Sequence, residues 1–181
     1  MMQIELMNEF AIEESIKKQI SELIRICFPE ENFYGRTYFK QHPHSRLLMI
    51  KENKLIGQLG LDYRAMNLNG KAIHVLDIID LAILPEYQRQ GYASKLIHHL
   101  IALSSNWTHN IDFLLLYSEH THFYERFGFS AIAQHIEWLA MEEHVNYGVM
   151  QEHLPKGLMY RPIGTKCWTE NSKLDLLGYF Y

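Results

Sequence analysis

The sequence predicts an α/β fold, a mixed and mostly antiparallel central sheet flanked by helices, within 181 residues. Three observations carry this expectation. An early segment places apolar residues at helical spacing, several strand-like runs are joined by turn residues, and a polar, glycine-containing loop separates a long strand from a second amphipathic segment.

After an opening strand, Ile12, Ile16, Ile20, Leu23, Ile24 and Cys27 recur at helical spacing, with Glu13, Glu14, Lys17 and Lys18 on the opposite face and Pro29 as the stop. An aromatic segment around Phe33, Tyr34, Tyr38 and Phe39 follows. Arg46 to Lys51 reads as a strand, Glu52-Asn53-Lys54 as its turn, and Leu55 to Tyr63 as the partner strand. Asn69-Gly70 signals a hairpin, because a two-residue primed turn needs positive φ at both centres. A longer strand, Ala72 to Leu84, ends at Pro85. The second helix carries Ala93, Leu96, Ile97, Leu100 and Ile101 on one face. Ile111 to Tyr117, a continuous apolar run, reads as a strand covered on both faces, and a short helix over His122 to Phe127 closes at Gly128 before a further strand.

Composition narrows the function classes. With 48% hydrophobic and 21% charged residues, neither disorder nor a fibrous architecture is expected. A net charge of -4 and no block of Lys or Arg argue against nucleic acid as partner, and suit a cationic substrate. No apolar run reaches the length of a membrane span, and Met1-Met2-Gln3-Ile4-Glu5 does not open a signal-type segment, so no membrane partner and a cytoplasmic location are expected. Cys27 and Cys167 read as separate reduced thiols. His42-x-His44, His98-His99 and His120-x-His122 invite a metal reading, but a metal needs three or four convergent ligands and adjacent helical side chains diverge by about 100°. No metal is expected.

The segment richest in chemistry is Gln88-Arg89-Gln90-Gly91-Tyr92-Ala93-Ser94, between strand end and helix start. Amides of a tight turn that point outward together add to the positive end of the helix dipole and make a cradle for a pyrophosphate. The segment lacks the Lys and Ser/Thr of a nucleotide P-loop and the glycine pattern of a dinucleotide fold.

Gln88-x-x-Gly91-x-Ala93 resembles the acetyl-coenzyme A signature of the GNAT family of N-acetyltransferases, and Phe123-Tyr124-Glu125-Arg126-Phe127-Gly128-Phe129 is similar to that family's tyrosine-bearing helix and Gly-Phe step. The resemblance covers about residues 1–140. It implies acetyl-CoA as cosubstrate, lying between two splayed parallel strands, Ile79 to Leu84 and Ile111 to Tyr117. It also implies backbone N–H groups of Leu81, Ala82, Ile83 and Leu84 that polarise the thioester carbonyl, and Tyr124 as the acid that meets the leaving thiolate.

A primary amine is protonated at neutral pH by roughly a thousand to one, so acyl transfer to it requires a base. Asp77 stands eleven positions before Gln88, the spacing of the base glutamate in histone-type members of the family, and is the first candidate. Asp80 is the second; with opposite strand parity, only one of the two faces the cofactor unless a bulge intervenes. No Ser or Cys nucleophile has a paired base, which favours direct attack in a ternary complex.

The expected organisation is a GNAT core over 1–140 and an extension over 141–181 that packs on the same domain near the acceptor. The apolar ending Leu174-Asp175-Leu176-Leu177-Gly178-Tyr179-Phe180-Tyr181 resembles the branch containing aminoglycoside 2′-N-acetyltransferases. That likeness makes Glu142, Glu143, Asp175 and the Tyr181 carboxylate candidates for holding a polyamine or aminosugar. The function expected is acetyl transfer to a small-molecule primary amine by a monomer or homodimer. The rival readings are an aminoglycoside acetyltransferase and a CoA-binding sensor without turnover.

Overall fold

A computed structural model describes residues 1–180. They pack into two compact units, Met1–Asp62 with Ile78–Leu103, and Tyr63–Asp77 with the described residues from Ser104 onward. The strands are β1 (Met2–Asn8), β2 (Ser45–Lys51), β3 (Lys54–Leu68), β4 (Lys71–Ile83), β5 (Phe113–Tyr117), β6 (Ser130–Glu142), β7 (Val145–Pro162) and β8 (Lys173–Tyr179). The helices are α1 (Glu14–Cys27), α2 (Tyr92–Ser104) and α3 (Thr121–Glu125). Strands β3 and β4 each give one half to either unit.

In the first unit β1 pairs antiparallel with β2, and β2 with β3. The β2–β3 turn puts Glu52 at φ 52° and Asn53 at φ 63°, the primed geometry that a tight hairpin needs. Helix α1 begins after Glu13, which is extended, and ends where Phe28 N–H donates to the Ile24 carbonyl. Its apolar face buries Ile20, Leu23 and Ile24 against Leu48, Leu55, Ala82 and Leu84, joined by Ile12 and Phe33. Each such Ile, Leu or Phe side chain removed from water stabilises by about 1.5–3 kcal/mol. Leu96, Ile97 and Leu100 of α2 are fully buried as well.

In the second unit the order is β4-β5-β7-β6-β8, with β8 also paired to β3 and β3 joined to β4 by the hairpin at Asn69 (φ 52°) and Gly70 (φ 79°). Six strand segments therefore close on one another as a barrel. The β4–β5 and β6–β8 pairs are parallel and the β5–β7, β6–β7 and β3–β8 pairs antiparallel. Inward residues alternate along each strand, as closure requires: Met66 and Leu68, Ile73 and Val75, Phe113 and Leu115, Leu174 and Leu176.

Strand β3 runs five residues past its expected end at Tyr63. Met66 and Leu68 keep the inward alternation, so the pairing has a core to follow. Residues 141–180 form no separate body: β7 lies between β5 and β6, and β8 beside β6. Among the described residues no helix is long and apolar enough to cross a membrane.

Candidate active site

In the first unit β4 leads through a 3-10 turn, Pro85–Tyr87, into the loop that precedes α2. Arg89 has φ 58° and Gly91 φ 80°, so left-handed residues flank Gln90 and turn successive amides toward one side. A Cβ built on Gly91 would meet nothing within 4 Å, so glycine is required there by backbone conformation and not by crowding. Gln88 Nε2 donates to the Ile83 carbonyl at 2.9 Å and Gln90 Nε2 to the Glu86 carbonyl at 2.8 Å, which tie the loop to the end of the strand and to the 3-10 turn. Gln88 to Gly91 are exposed and Tyr92 to Ser94 half-buried at the start of α2, where the first N–H groups of a helix have no intrahelical acceptor. Amides on an exposed helix N-terminus, in a turn that also carries the exposed Arg89, are a donor set that suits a pyrophosphate.

Upstream, Ala82, Ile83 and Leu84 are buried and Leu81 is half-buried. The Leu84 N–H is taken by the Ile56 carbonyl at 2.9 Å, and Cys27 Sγ lies 3.3 Å from the Ile83 carbonyl.

Asp80 sits three residues before the end of β4, with φ 50°. A left-handed residue breaks the pleat, so the alternation counted from Asp77 does not carry through to it. Burial pushes the Asp80 carboxyl up to about 6, against an opposing pull from Arg46 and with a smaller push from Glu31. Its main-chain carbonyl accepts from Gln58 Nε2 at 2.7 Å.

Asp77, three residues earlier and in the second unit, is fully buried, and its Oδ2 lies 3.2 Å from Arg64 Nη1. Arg64 Nη2 donates to the carbonyls of Leu176 at 3.1 Å and Tyr179 at 2.9 Å, and its guanidinium stacks over the Tyr179 ring at 4.8 Å. This carboxylate is thereby part of the fastening of β8.

Tyr124 lies in α3, its ring edge-on to Phe123 and Phe129. Burial alone pushes its phenol up to about 12, so it holds its proton through the neutral range.

The remaining candidates have local duties. Asp175 Oδ1 accepts from the Leu177 N–H at 2.9 Å, where Leu177 has φ 49°. Glu142 and Glu143 are exposed at the β6–β7 turn, and Tyr181 lies outside the described residues. Trp168 stacks on Tyr160 at 4.8 Å and meets Phe113 edge-on, as part of the packing of the second unit. His42 and His44 pair with Glu9 and Asp62, and His122 with Glu125.

Sequence reasoning passed over Arg46, Gln58, Glu9 and Arg64. The available signal was a polar or charged residue at an inward position of a strand: Arg46 opens the run Leu47-Leu48-Met49, and Gln58 interrupts Leu55 to Leu61.

Residues 11–132 match the family model described as an acetyltransferase (GNAT) domain. No curated protein sequence matches the chain. Among solved structures it is similar to a GCN5-related N-acetyltransferase from Anabaena variabilis, with 17% identity and a TM-score of 0.59 over 75% of this chain and 34% of that one. It is similar to a GNAT family acetyltransferase from Brucella melitensis solved with acetyl-CoA, at 11% identity and a TM-score of 0.58 over 94% of each chain. N-acetylglutamate synthase from Neisseria gonorrhoeae, complexed with coenzyme A and N-acetyl-glutamate, shares 18% identity and a TM-score of 0.55 over 90% of this chain and 35% of that one. The chain spans about a third of the length of two of these structures. At such identities the likeness is one of fold; the family model, which spans two thirds of the sequence, places the chain in the GNAT acetyltransferase family.

Proposed function

We propose that this chain transfers an acetyl group from acetyl-CoA to a small-molecule primary amine, by direct attack in a ternary complex. The observation that carries the reading is the exposed turn at Arg89 and Gly91, whose paired left-handed residues orient amides at the N-terminus of α2. Acetyl-CoA supplies an activated thioester. The turn, with Gln88, Arg89, Gln90, Tyr92, Ala93 and Ser94, binds its pyrophosphate, and the main chain of Leu81 to Ile83 orients the pantetheine arm.

Asp80 takes the role of base. A carboxyl with its pKa near 6 is ionised at neutral pH yet basic enough to accept a proton from an ammonium through water. Glu31, whose charge acts on Asp80, adds to a field that draws a cationic acceptor. Asp77 is assigned to the Arg64 ion pair in place of the chemistry. Tyr124 donates its proton to the departing thiolate; a phenol held neutral by burial has that proton to give.

Calorimetric titration with acetyl-CoA, CoA and NAD tests the cradle, and thiol release with a panel of polyamines and aminoglycosides tests the transfer. Binding of the CoA species with thiol release on an amine supports the reading. Failure of both CoA species to bind overturns it, and binding without release on any amine supports a CoA sensor.

A further inference from the structure

Inside the first unit a chain of buried polar side chains ends on the main chain of Asp80. Arg46 on β2 has no exposed surface, nor has Gln58 on β3. Arg46 Nε donates to Glu9 Oε2 at 2.6 Å and Nη2 to Glu9 Oε1 at 3.2 Å, a two-point grip on one carboxylate. Nη2 also reaches the Thr37 carbonyl at 2.7 Å, and Nη1 donates to Gln58 Oε1 at 2.8 Å. Gln58 Nε2 then donates to the Asp80 carbonyl at 2.7 Å.

The direction of this relay is fixed by its chemistry. Arg46 has only donors to offer, so the Gln58 oxygen must face it, and the amide NH2 must face the other way. What it meets there is the carbonyl of a non-glycine residue at φ 50°, a conformation costing about 1–2 kcal/mol. A left-handed residue inside a strand turns its carbonyl out of the ladder. A carbonyl so turned needs another donor, and Gln58 supplies it from a fully buried position. Glu9 stays ionised despite burial through Arg46, and His42 and Thr37 add hydrogen bonds to the same carboxylate.

We infer that Gln58, oriented by the Glu9–Arg46 pair, is a positioning residue that holds the left-handed turn at Asp80 and so aims its carboxylate. The inference rests on the assignment of Asp80 as base. Two charged groups act on that carboxylate, Arg46 from β2 and Glu31 from the segment after α1. Arg46 thus fixes the backbone through Gln58 and opposes the burial that disfavours ionisation. A misplacement of about 1 Å in a reacting group costs roughly a hundredfold in rate, which sets the scale of the loss.

The test compares wild type with Gln58→Met, Arg46→Lys and Asp80→Asn. Carboxyl titration of Asp80 by carbon NMR is followed in the free protein, and kcat and KM are measured by thiol release with spermidine or kanamycin as acceptor. Gln58→Met keeps the volume and removes both bonds. It is expected to fold, to keep its KM for acetyl-CoA within about twofold, to lose roughly tenfold to a hundredfold in kcat, and to move the Asp80 midpoint. Arg46→Lys, which keeps a cation, retains more activity than Gln58→Met.

A folded Gln58→Met with the wild-type midpoint and wild-type kcat overturns the inference. Should that variant fail to fold, the Gln58 side-chain NH2 signals in wild type decide: they are expected to exchange slowly and to shift as Asp80 titrates, and signals that do neither overturn it. Wild-type kcat in Asp80→Asn overturns the base assignment itself. An inactive Asp80→Asn beside an unaffected Gln58→Met leaves the base in place and rejects only the positioning.

Discussion

Replacing Arg64 by Met tests how much of the second unit hangs on one guanidinium. Arg64 faces Asp77, which has no exposed surface, and ties β8 through two carbonyls more than a hundred residues downstream. Met matches the aliphatic stem but leaves the Asp77 carboxylate without this cation in a dry environment. Breaking a buried ion pair from one side costs about 3–5 kcal/mol, because the remaining charge keeps its desolvation penalty. The two bonds to Leu176 and Tyr179 and the stacking on Tyr179 belong to the same side chain, so their loss is included in that figure rather than added to it.

Urea denaturation of wild type and Arg64→Met gives the difference, and hydrogen exchange over 173–179 locates it. Exchange in β8 is expected to rise before exchange in β5, because β5 is buried between β4 and β7 while β8 loses its clamp. Asp77→Asn removes the charge together with its penalty and is expected to cost less than Arg64→Met. A loss under about 1 kcal/mol in Arg64→Met, or unchanged exchange in β8, would refute the clamp. The same pair separates two roles for Asp77. A structural carboxylate loses stability and keeps most of its kcat when changed to Asn, whereas a base loses kcat and keeps stability.

Three further outcomes are expected. With Asp80 raised to about 6 from the ordinary 3.8, the folded state binds the proton more tightly than the unfolded chain, so this residue's contribution to stability falls as pH rises between those values and stays low above them. Asp80→Asn, which tolerates a left-handed backbone, should therefore gain about 1–3 kcal/mol at pH 7.5 relative to wild type and little at pH 3.5, while the acidic limb of kcat near pH 6 vanishes with the activity. Tyr124→Phe should lower kcat by roughly 10²-fold or more with CoA affinity unchanged by calorimetry, since only the donated proton is lost. Gly91→Ala places a side chain at φ 80° with room for its Cβ, so about 1–2 kcal/mol of backbone strain should lower stability without a packing defect, and a turn that relaxes to escape that strain should lose the same amount in CoA affinity by calorimetry.

The parts of the fold legible in the sequence were those with a local physical cause. Helix α1 follows from apolar spacing, and the turns at 52–53 and 69–70 follow from residues that accept positive φ. The closure of β8 onto β3 has no local signature, because it joins Leu68 to Leu174 across the whole second half of the chain. An apolar ending shows that a segment needs cover without showing which edge supplies it. The left-handed turn at Arg89 and Gly91 was legible for the reason the hairpins were, a glycine at a strand-to-helix step. The network behind Asp80 was not, since Glu9, Arg46 and Gln58 are far apart in sequence and each is unremarkable alone.

The two aspartates of Leu76-Asp77-Ile78-Ile79-Asp80 show where the sequence held more than spacing could extract. Counting parity along a strand assumes an unbroken pleat, and under that assumption the family spacing favours Asp77. Aspartate is depleted in strands and enriched in left-handed conformations, so two of them within an apolar strand each need a local reason. One reason is a buried cation, and Arg64 sits across the hairpin from Asp77 to provide it. The other is a break in the pleat, and Asp80 at φ 50° is that break. Its backbone bends where a β-branched residue would resist, and its carboxyl is left partly desolvated beside one buried guanidinium. Burial raises this carboxyl, Arg46 opposes it and Glu31 adds a smaller push, and the resulting value of about 6 lies near the pH at which a carboxylate can both take up and release a proton.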